Sequence, residues 1–309
     1  MSKPLLIALS AAGALILAVV GLFAATRHPH TQPGPSAGTL AAGPCDRAPS
    51  MPFTGIATSG SLTTQAEDFG QATGVRPQVI ESYVRFGAPF WVSSAQQVVR
   101  FGALPLIQIQ PRHASLTSIA AGKWDHYLRT YARSVRKFKC KIALSFAHEM
   151  NAPWYPWRKS NYTPAQFIAA WRHIHDVFAS VHATNVIWTW DPSHYFVDSR
   201  PWWPGSAYVD WVGLDGYLRL GKNFHSIFDW QLGKVRKFTN KPVFISETSV
   251  APGPLAVPRA RSLFDAIRSD HLAGLIWFNR DRLEKWKIQG RSTVITAYRT
   301  GVAAMKQPQ

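Results

Sequence analysis

Short apolar runs alternate along this chain with longer stretches in which apolar residues recur every third or fourth position. The first pattern reads as buried strands and the second as helices packed on one side. The runs fall at 53–58, 79–86, 104–110, 141–148, 186–190, 209–215, 242–247 and 274–279. Helical spacing fills 64–73, 94–101, 123–137, 164–181, 227–238, 259–269 and 293–305. The clearest helix start is Thr163-Pro164, an N-cap residue followed by a first-turn proline. Phe167, Ala170, Trp171, Ile174 and Phe178 then fall on one stripe. Between the fifth and sixth strands the connection is rich in Trp and Pro and too short for a long helix. Strands that are each followed by a crossover predict an α/β fold, a (β/α)8 TIM barrel. A doubly wound sheet is the alternative, but neither a G-x-G-x-x-G nor a P-loop pattern supports it.

The alternation begins only near residue 51. Residues 5–25 are uncharged, with Lys3 ahead of them and Arg27 closing the run. About 20 apolar residues suffice to span a bilayer. A secretory signal has a shorter apolar part and a small-x-small cleavage site, where this chain places Leu22 and Phe23. Residues 1–26 therefore read as a signal peptide or a transmembrane anchor, which makes the membrane a partner in the second case. Either reading predicts an extracytoplasmic protein, membrane-anchored or secreted. Residues 27–50 are rich in Pro, Gly and Ala without apolar periodicity, as in a flexible linker. The barrel domain is expected over 51–309.

An exported chain can oxidise its cysteines. Cys45 and Cys140 are the two it has. One precedes the first strand and the other the fourth, so both are expected near the bottom of the barrel, where a disulfide would tie the linker down. The alternative for Cys140 is an ordinary buried apolar residue.

Charge changes the picture further. With 34 Lys and Arg against 17 Asp and Glu, the formal net charge is +17. Arg129, Arg133, Arg136 and Lys137 share one helical face, which reads as a solvated face or as an attraction to an anionic polymer or envelope. Nucleic acid is not an expected partner, because no recognition motif accompanies the charge. A monomer is expected.

The candidate chemistry lies where a barrel keeps it, at the C-terminal ends of strands. The fourth strand ends in His148-Glu149, the sixth in Asp215-Gly216-Tyr217 and the seventh at Glu247. Trp277 lies near the end of the eighth, and Arg112-His113 follows the third. His148-Glu149 could open the zinc motif HExxH, but Ala152 occupies the place of its second histidine. No metal or organic cofactor is implied.

Two carboxyl groups facing each other across a barrel mouth are what retaining glycoside hydrolysis needs, roughly 5–5.5 Å apart. One must hold a proton for the leaving oxygen and the other must be ionised to attack. Glu149 lies beside Trp154 and Trp157 in "FAHEMNAPWYPW", an apolar wall that suits the acid. Tyr217 can aim a hydroxyl at Glu247, which suits the nucleophile. Sugars present apolar C–H faces, for which Trp rings make good floors.

These residues carry a resemblance to glycoside hydrolase family 26, the β-mannanase family. The matching stretches are "PLIQIQP", "IAAGKWDHYLRTYA", "FAHEMNAPWYPW", "AAWRHIHDVF", "WPGSAYVDWVGLDGY", "KPVFISETS" and "IWFNRDRLEKWKI", in that order over about 53–299. The resemblance implies a (β/α)8 barrel with Glu149 as acid/base and Glu247 as nucleophile. It also implies His148 and Tyr217 as orienting neighbours and Trp154, Trp157 and Trp277 as sugar-contacting rings. His113 is added as a substrate contact. Relatives often carry Arg at the position of Ser145, Trp at that of Gln108 and Asn at that of Leu218. These departures surround the cleft, so they bear on the substrate more than on the reaction.

The expected function is endo-acting retaining cleavage of a β-linked polysaccharide, most simply β-1,4-mannan. Mixed-linked glucan, xylan or an envelope exopolysaccharide are alternatives, and the charge raises an anionic polymer as a further one. A non-catalytic polysaccharide-binding barrel is the competing class, although binding alone would not need both carboxyl groups. Trp202 and Trp203 read equally as exposed stacking rings and as loop anchors. Asp215 reads as a support of the loop after the sixth strand.

Overall fold

The computed structural model describes residues 45–307 apart from Lys159, Phe196 and Leu283. The apolar segment at 5–25 and most of the linker lie outside the described residues. Among those residues, no helix is long and apolar enough to cross a membrane.

Parallel strands close into a barrel in chain order. They are β1 Phe53–Ala57, β2 Val79–Arg85, β3 Leu104–Gln110, β4 Ile142–Phe146, β5 Val186–Trp190, β6 Trp211–Asp215, β7 Val243–Thr248 and β8 Gly274–Phe278. The helices are α1 Leu62–Thr73, α2 Val92–Arg100, α3 Leu116–Ala120, α4 Asp125–Phe138, α5 Pro164–Ser180, α6 Phe224–Val235, α7 Ala256–Ser269 and α8 Ser292–Met305. The predicted TIM barrel is the observed fold. α5 starts in a capping box: Thr163 Oγ accepts from the Gln166 N–H, and Gln166 accepts from the Thr163 N–H. Helix α3 escaped the sequence pattern because one turn shows no period. The β5–β6 crossover uses short 3-10 turns at Arg200–Trp202 and Ser206–Tyr208 in place of a helix.

Side chains along barrel strands alternate between the interior and the helix layer. Phe53, Leu106, Ala143, Trp211, Phe244 and Ile276 cluster together. Their chain neighbours Ile107, Leu144, Val212, Ile245, Leu275 and Trp277 belong to the larger cluster under the helices. Above the apolar interior floor the inward positions turn polar, with Glu81, Gln108, Ser145, Asp191 and Asp215 all fully buried. Gly213 faces this layer, and a Cβ there would collide with Asp191 Oδ1 and Ser246 Oγ. That close approach explains why a strand interior carries a glycine.

Strand β7 departs from strict alternation. Gly213 pairs with Phe244 but Asp215 with Glu247, and Ile245 pairs with Leu275 but Thr248 with Trp277. One extra residue thus sits in β7 against both neighbours. Unbroken alternation from Phe244 would send Glu247 outward beside Val243 and Ile245. The bulge turns it toward the barrel mouth.

Cys45 and Cys140 form a disulfide, with 4.8 Å between their Cα atoms. The Lys141 N–H donates to the Cys45 carbonyl at 2.8 Å, so the segment before β1 is pinned beside the start of β4. Cys140→Ser is expected to lower stability by about 2–4 kcal/mol. A urea unfolding midpoint that does not move would mean that the bridge contributes nothing.

Candidate active site

Strand β4 delivers Glu149 through an unusual turn. Ala147 and Glu149 both take left-handed backbone angles, at φ 53° and 54°, although neither is glycine. Such residues cost about 1–3 kcal/mol each and persist where surrounding structure holds them. The holding bonds are visible: the Glu149 N–H donates to the Asp191 carbonyl at 2.7 Å. Asn151 Nδ2 donates to the Ser193 carbonyl, and the Ser193 N–H donates back to Asn151 Oδ1 at 2.9 Å. The loops after β4 and β5 are therefore laced together. The indole N–H of Trp154 donates to Glu149 Oε2 at 2.7 Å. Trp154 is 47% exposed, with its ring edge-on to Tyr195.

Glu247, turned inward by the bulge, accepts from two phenols. Tyr83 donates to Oε2 and Tyr217 to Oε1. Burial raises the Tyr83 hydroxyl well above its ordinary value, and the neighbouring Glu247 charge adds to this, so it stays protonated and available as a donor.

The two carboxyl groups act on one another. Burial pushes Glu149 up to about 7. Burial, followed by the Glu149 charge, pushes Glu247 up to about 8. Taken singly, those values would leave a shared proton on Glu247. The Glu149 charge behind part of that rise vanishes, however, whenever Glu149 holds the proton. Tyr83, Arg280 and Arg282 all favour the charged form of Glu247. The side chains that favour a charged Glu149 are Trp154 and Ser193, both neutral. With one proton on the pair, these neighbours favour the negative charge on Glu247 and the proton on Glu149. A carboxylic acid facing a carboxylate can protonate a leaving oxygen on one side and attack carbon on the other.

Beneath this pair Gln108 Nε2 bridges Glu81 Oε1 at 2.8 Å and Asp191 Oδ2 at 2.9 Å. Burial, and then the Glu247 charge, raise Glu81 well above its ordinary value. Ser246 donates to Asp215 Oδ1. Among the described residues, no cluster of His, Cys, Asp or Glu is arranged to hold a metal ion. A cleft of about 540 Å³ opens beside Glu247, lined by Tyr83, Trp91, Gln110, Arg112, Tyr155 and Arg280 among others.

The family profile described as Glycosyl hydrolase family 26 matches residues 126–280, half of the chain. This chain belongs to glycosyl hydrolase family 26. The match covers Glu149, Glu247 and the bulged strand β7 that carries the second of them. Among curated proteins, Endoglucanase H of Acetivibrio thermocellus is 27% identical over 262 residues, covering 77% of this chain and 29% of that protein. Beta-1,3-xylanase TXYA of a Vibrio species is 23% identical over 219 residues, covering 64% of this chain and 45% of that protein. The family 26 chain thus spans less than half the length of either relative. The solved structure of Bacillus subtilis mannanase BCman superposes with a TM-score of 0.63 at 17% identity, covering 82% of this chain and 87% of that one. That likeness concerns the fold.

Placed in the family 26 barrel, the residues named from sequence divide. Glu149, Glu247, Tyr217 and Trp154 converge on the mouth. Trp277 does not. It is fully buried, its N–H bonds the Trp286 carbonyl at 3.2 Å and its ring stands edge-on to Tyr298. Strand parity explains this, since Trp277 points to α8 while Phe278 and Arg280 take the inward side. Trp157 is 2% exposed, stacks on Tyr155 at 4.4 Å and donates to the His148 carbonyl at 2.7 Å. Its role is to fix the turn, not to present a face to sugar. His148 is fully buried and bonds the Tyr155 hydroxyl through Nε2 at 3.1 Å. Burial and Arg112 push it down to about 3, so it is a neutral positioning ring under Tyr155. His113 is exposed on the loop after β3, and its neighbour Arg112 lines the cleft instead. Trp202 is buried, and Trp203 packs against Trp190 and Phe238, so both anchor their loop. Asp215 is fully buried.

Sequence reading passed over Tyr83, Glu81 and Trp91. The first two had a signal: Glu81 and Tyr83 are two apart in one strand, hence on one face. Trp91, 55% exposed at the cleft, had none beyond being a large ring beside a helix start.

Proposed function

We propose that this hydrolase cleaves β-linked polysaccharide within its chains, with retention of configuration, by double displacement. One observation carries the reading: Glu149 and Glu247 stand at the ends of β4 and β7, the first accepting from the Trp154 indole and the second from the Tyr83 and Tyr217 hydroxyls. Glu149 transfers its proton to the glycosidic oxygen as Glu247 attacks the anomeric carbon and the C–O bond breaks. The product is a glycosyl ester on Glu247 and a free sugar hydroxyl. Water then attacks the same carbon, Glu149 accepts its proton, and Glu247 departs as the carboxylate. Tyr83 and Tyr217 hold the two carboxylate oxygens, one of which attacks, and receive Glu247 when it leaves. Trp154 positions Glu149 and, with Trp91, offers exposed ring surface to sugar.

A β-1,4-mannan backbone is the simplest substrate, supported by the fold shared with a mannanase. Glucan and β-1,3-xylan are supported by the names of the two curated relatives. The disulfide supports an oxidising, extracytoplasmic setting, with residues 1–26 acting as an anchor or a cleaved leader. The test is release of reducing ends from β-1,4-mannan, glucomannan, lichenan and β-1,3-xylan, with NMR of the first products. Retained β-anomers from internal cuts are expected. Inverted products would remove the nucleophile role from Glu247. Binding without release from any polymer would favour a non-catalytic binding barrel.

A further inference from the structure

The cleft wall carries more positive charge than the proposed reaction uses. Arg112, Arg280 and Arg282 line it together with Glu247, which is the one carboxylate among the lining residues. The ends of β3 and β8 bring these guanidiniums to one arm of the mouth. Arg112 lies 5.9 Å from the Tyr155 ring centre and 5.8 Å from that of Trp157, and its Nε donates to Gln110 Oε1 at 3.0 Å. Arg280 lies 5.7 Å from the Tyr83 ring centre and 5.8 Å from that of Phe278. Arg282 is exposed. None of them is in an ion pair among the described residues. Rings and an amide hold Arg112 and Arg280, so N–H donors remain for whatever enters the cleft.

Neutral sugar hydroxyls both donate and accept. A guanidinium only donates, and its fork matches a carboxylate. A simpler use would be to keep Glu247 ionised. Arg280 and Arg282 do contribute to that, but less than the Tyr83 hydrogen bond, and Arg112 acts on His148 and Tyr155 instead. We propose that this arm of the cleft binds an acidic sugar unit, a uronate or another carboxylate-bearing residue, through Arg112, Arg280 and Arg282. The inference rests on the glycosidase reading and narrows it: the β-linked polymer carries acidic units near the bond that is cut. The chain's +17 charge fits such a partner, since it draws the whole polymer to the surface.

The test compares glucuronoxylan, alginate and a glucuronate-bearing xanthan-type polymer, each in native form and with its carboxyl groups reduced to alcohols. Binding to the full chain carrying Glu149→Ala is measured by calorimetry, so turnover does not interfere. At least one native polymer is expected to bind about tenfold or more tightly than its reduced form, as for a charge-assisted contact. Arg280→Met and Arg112→Met, which keep the stems over the rings, should each remove most of that preference. Arg282→Ala, at an exposed position with no folding role, should weaken it severalfold. Equal or absent binding of native and reduced forms for every polymer overturns the inference. So does a preference that survives Arg282→Ala and the combined Met variant, because it would then belong to surface charge at large. Cleavage of neutral mannan without acidic preference would leave the glycosidase standing and remove this site. Carboxylate-dependent binding with no polymer cleaved by the native chain would do the reverse.

Discussion

Glu247→Ala is expected to lower turnover by about 10⁴-fold or more, because it deletes the group that forms the covalent bond. Glu149→Ala should cost about 10²–10⁴-fold on natural polymers, the usual contribution of a positioned acid. It should change kcat/KM little on activated aryl glycosides, whose leaving groups depart without a proton, while hydrolysis of the glycosyl ester becomes slow. Azide separates the two variants. In Glu149→Ala the Glu247 carboxylate survives, the glycosyl ester forms, and azide should release a β-glycosyl azide at an increased rate. In Glu247→Ala azide can attack only directly and would give the opposite anomer. Were the β-azide to come from Glu247→Ala, the two roles would be reversed. Trapping a glycosyl-enzyme on Glu247 with a slow 2-fluoro substrate is the independent check.

The barrel was legible because the strands and the longer helices signal their own periods, and eight strands joined by crossovers leave few topologies. The site was legible only in part. Glu149 and Glu247 stood out as carboxyl groups at strand ends, but simple alternation from Phe244 would have aimed Glu247 at the helices. A bulge is a property of pairing between strands, and one strand's sequence does not display it. Trp277 shows the opposite error. Its nearness to the end of β8 suggested the cleft, whereas its parity beside Ile276 and Phe278 sends it to α8. Counting parity from the apolar interior residues would have excluded it and drawn in Arg280. His148 and Trp157 lie close to Glu149 in the chain, yet the left-handed turn at Ala147 and Glu149 folds both beneath it. The pairing of Tyr83 with Glu247 across 164 positions had no local signal.

Activity is expected to follow a bell-shaped pH profile, because the proposed reaction needs one proton on the Glu149–Glu247 pair. Its alkaline limb should fall near pH 8, where the pair gives up that proton. Tyr83→Phe and Tyr217→Phe each remove a donor that favours the Glu247 carboxylate. Each should lower kcat by about 10–100-fold, as expected for a lost hydrogen bond to a charged group. Each should also move the acid limb to higher pH and shift the alkaline limb much less. A loss of rate with an unmoved acid limb would make the tyrosines packing residues. Stability should run with the same groups. The Glu149–Glu247 pair keeps one proton up to about 8, and Asp191 is raised to about 6, both above the unfolded carboxylate values near 4. The folded state therefore binds more protons than the unfolded chain in this range. Their contribution is fully present below about pH 4 and is lost as pH rises through 6 to 8. Thermal unfolding should shift to lower temperature between pH 5 and pH 8. Glu247→Gln, neutral at both pH values, should raise the melting temperature more at pH 8 than at pH 5. A melting temperature that climbs from pH 5 to 8 would mean that these carboxyl groups are paired and ionised in the folded protein, and the acid assigned to Glu149 would lose its proton before the enzyme could use it.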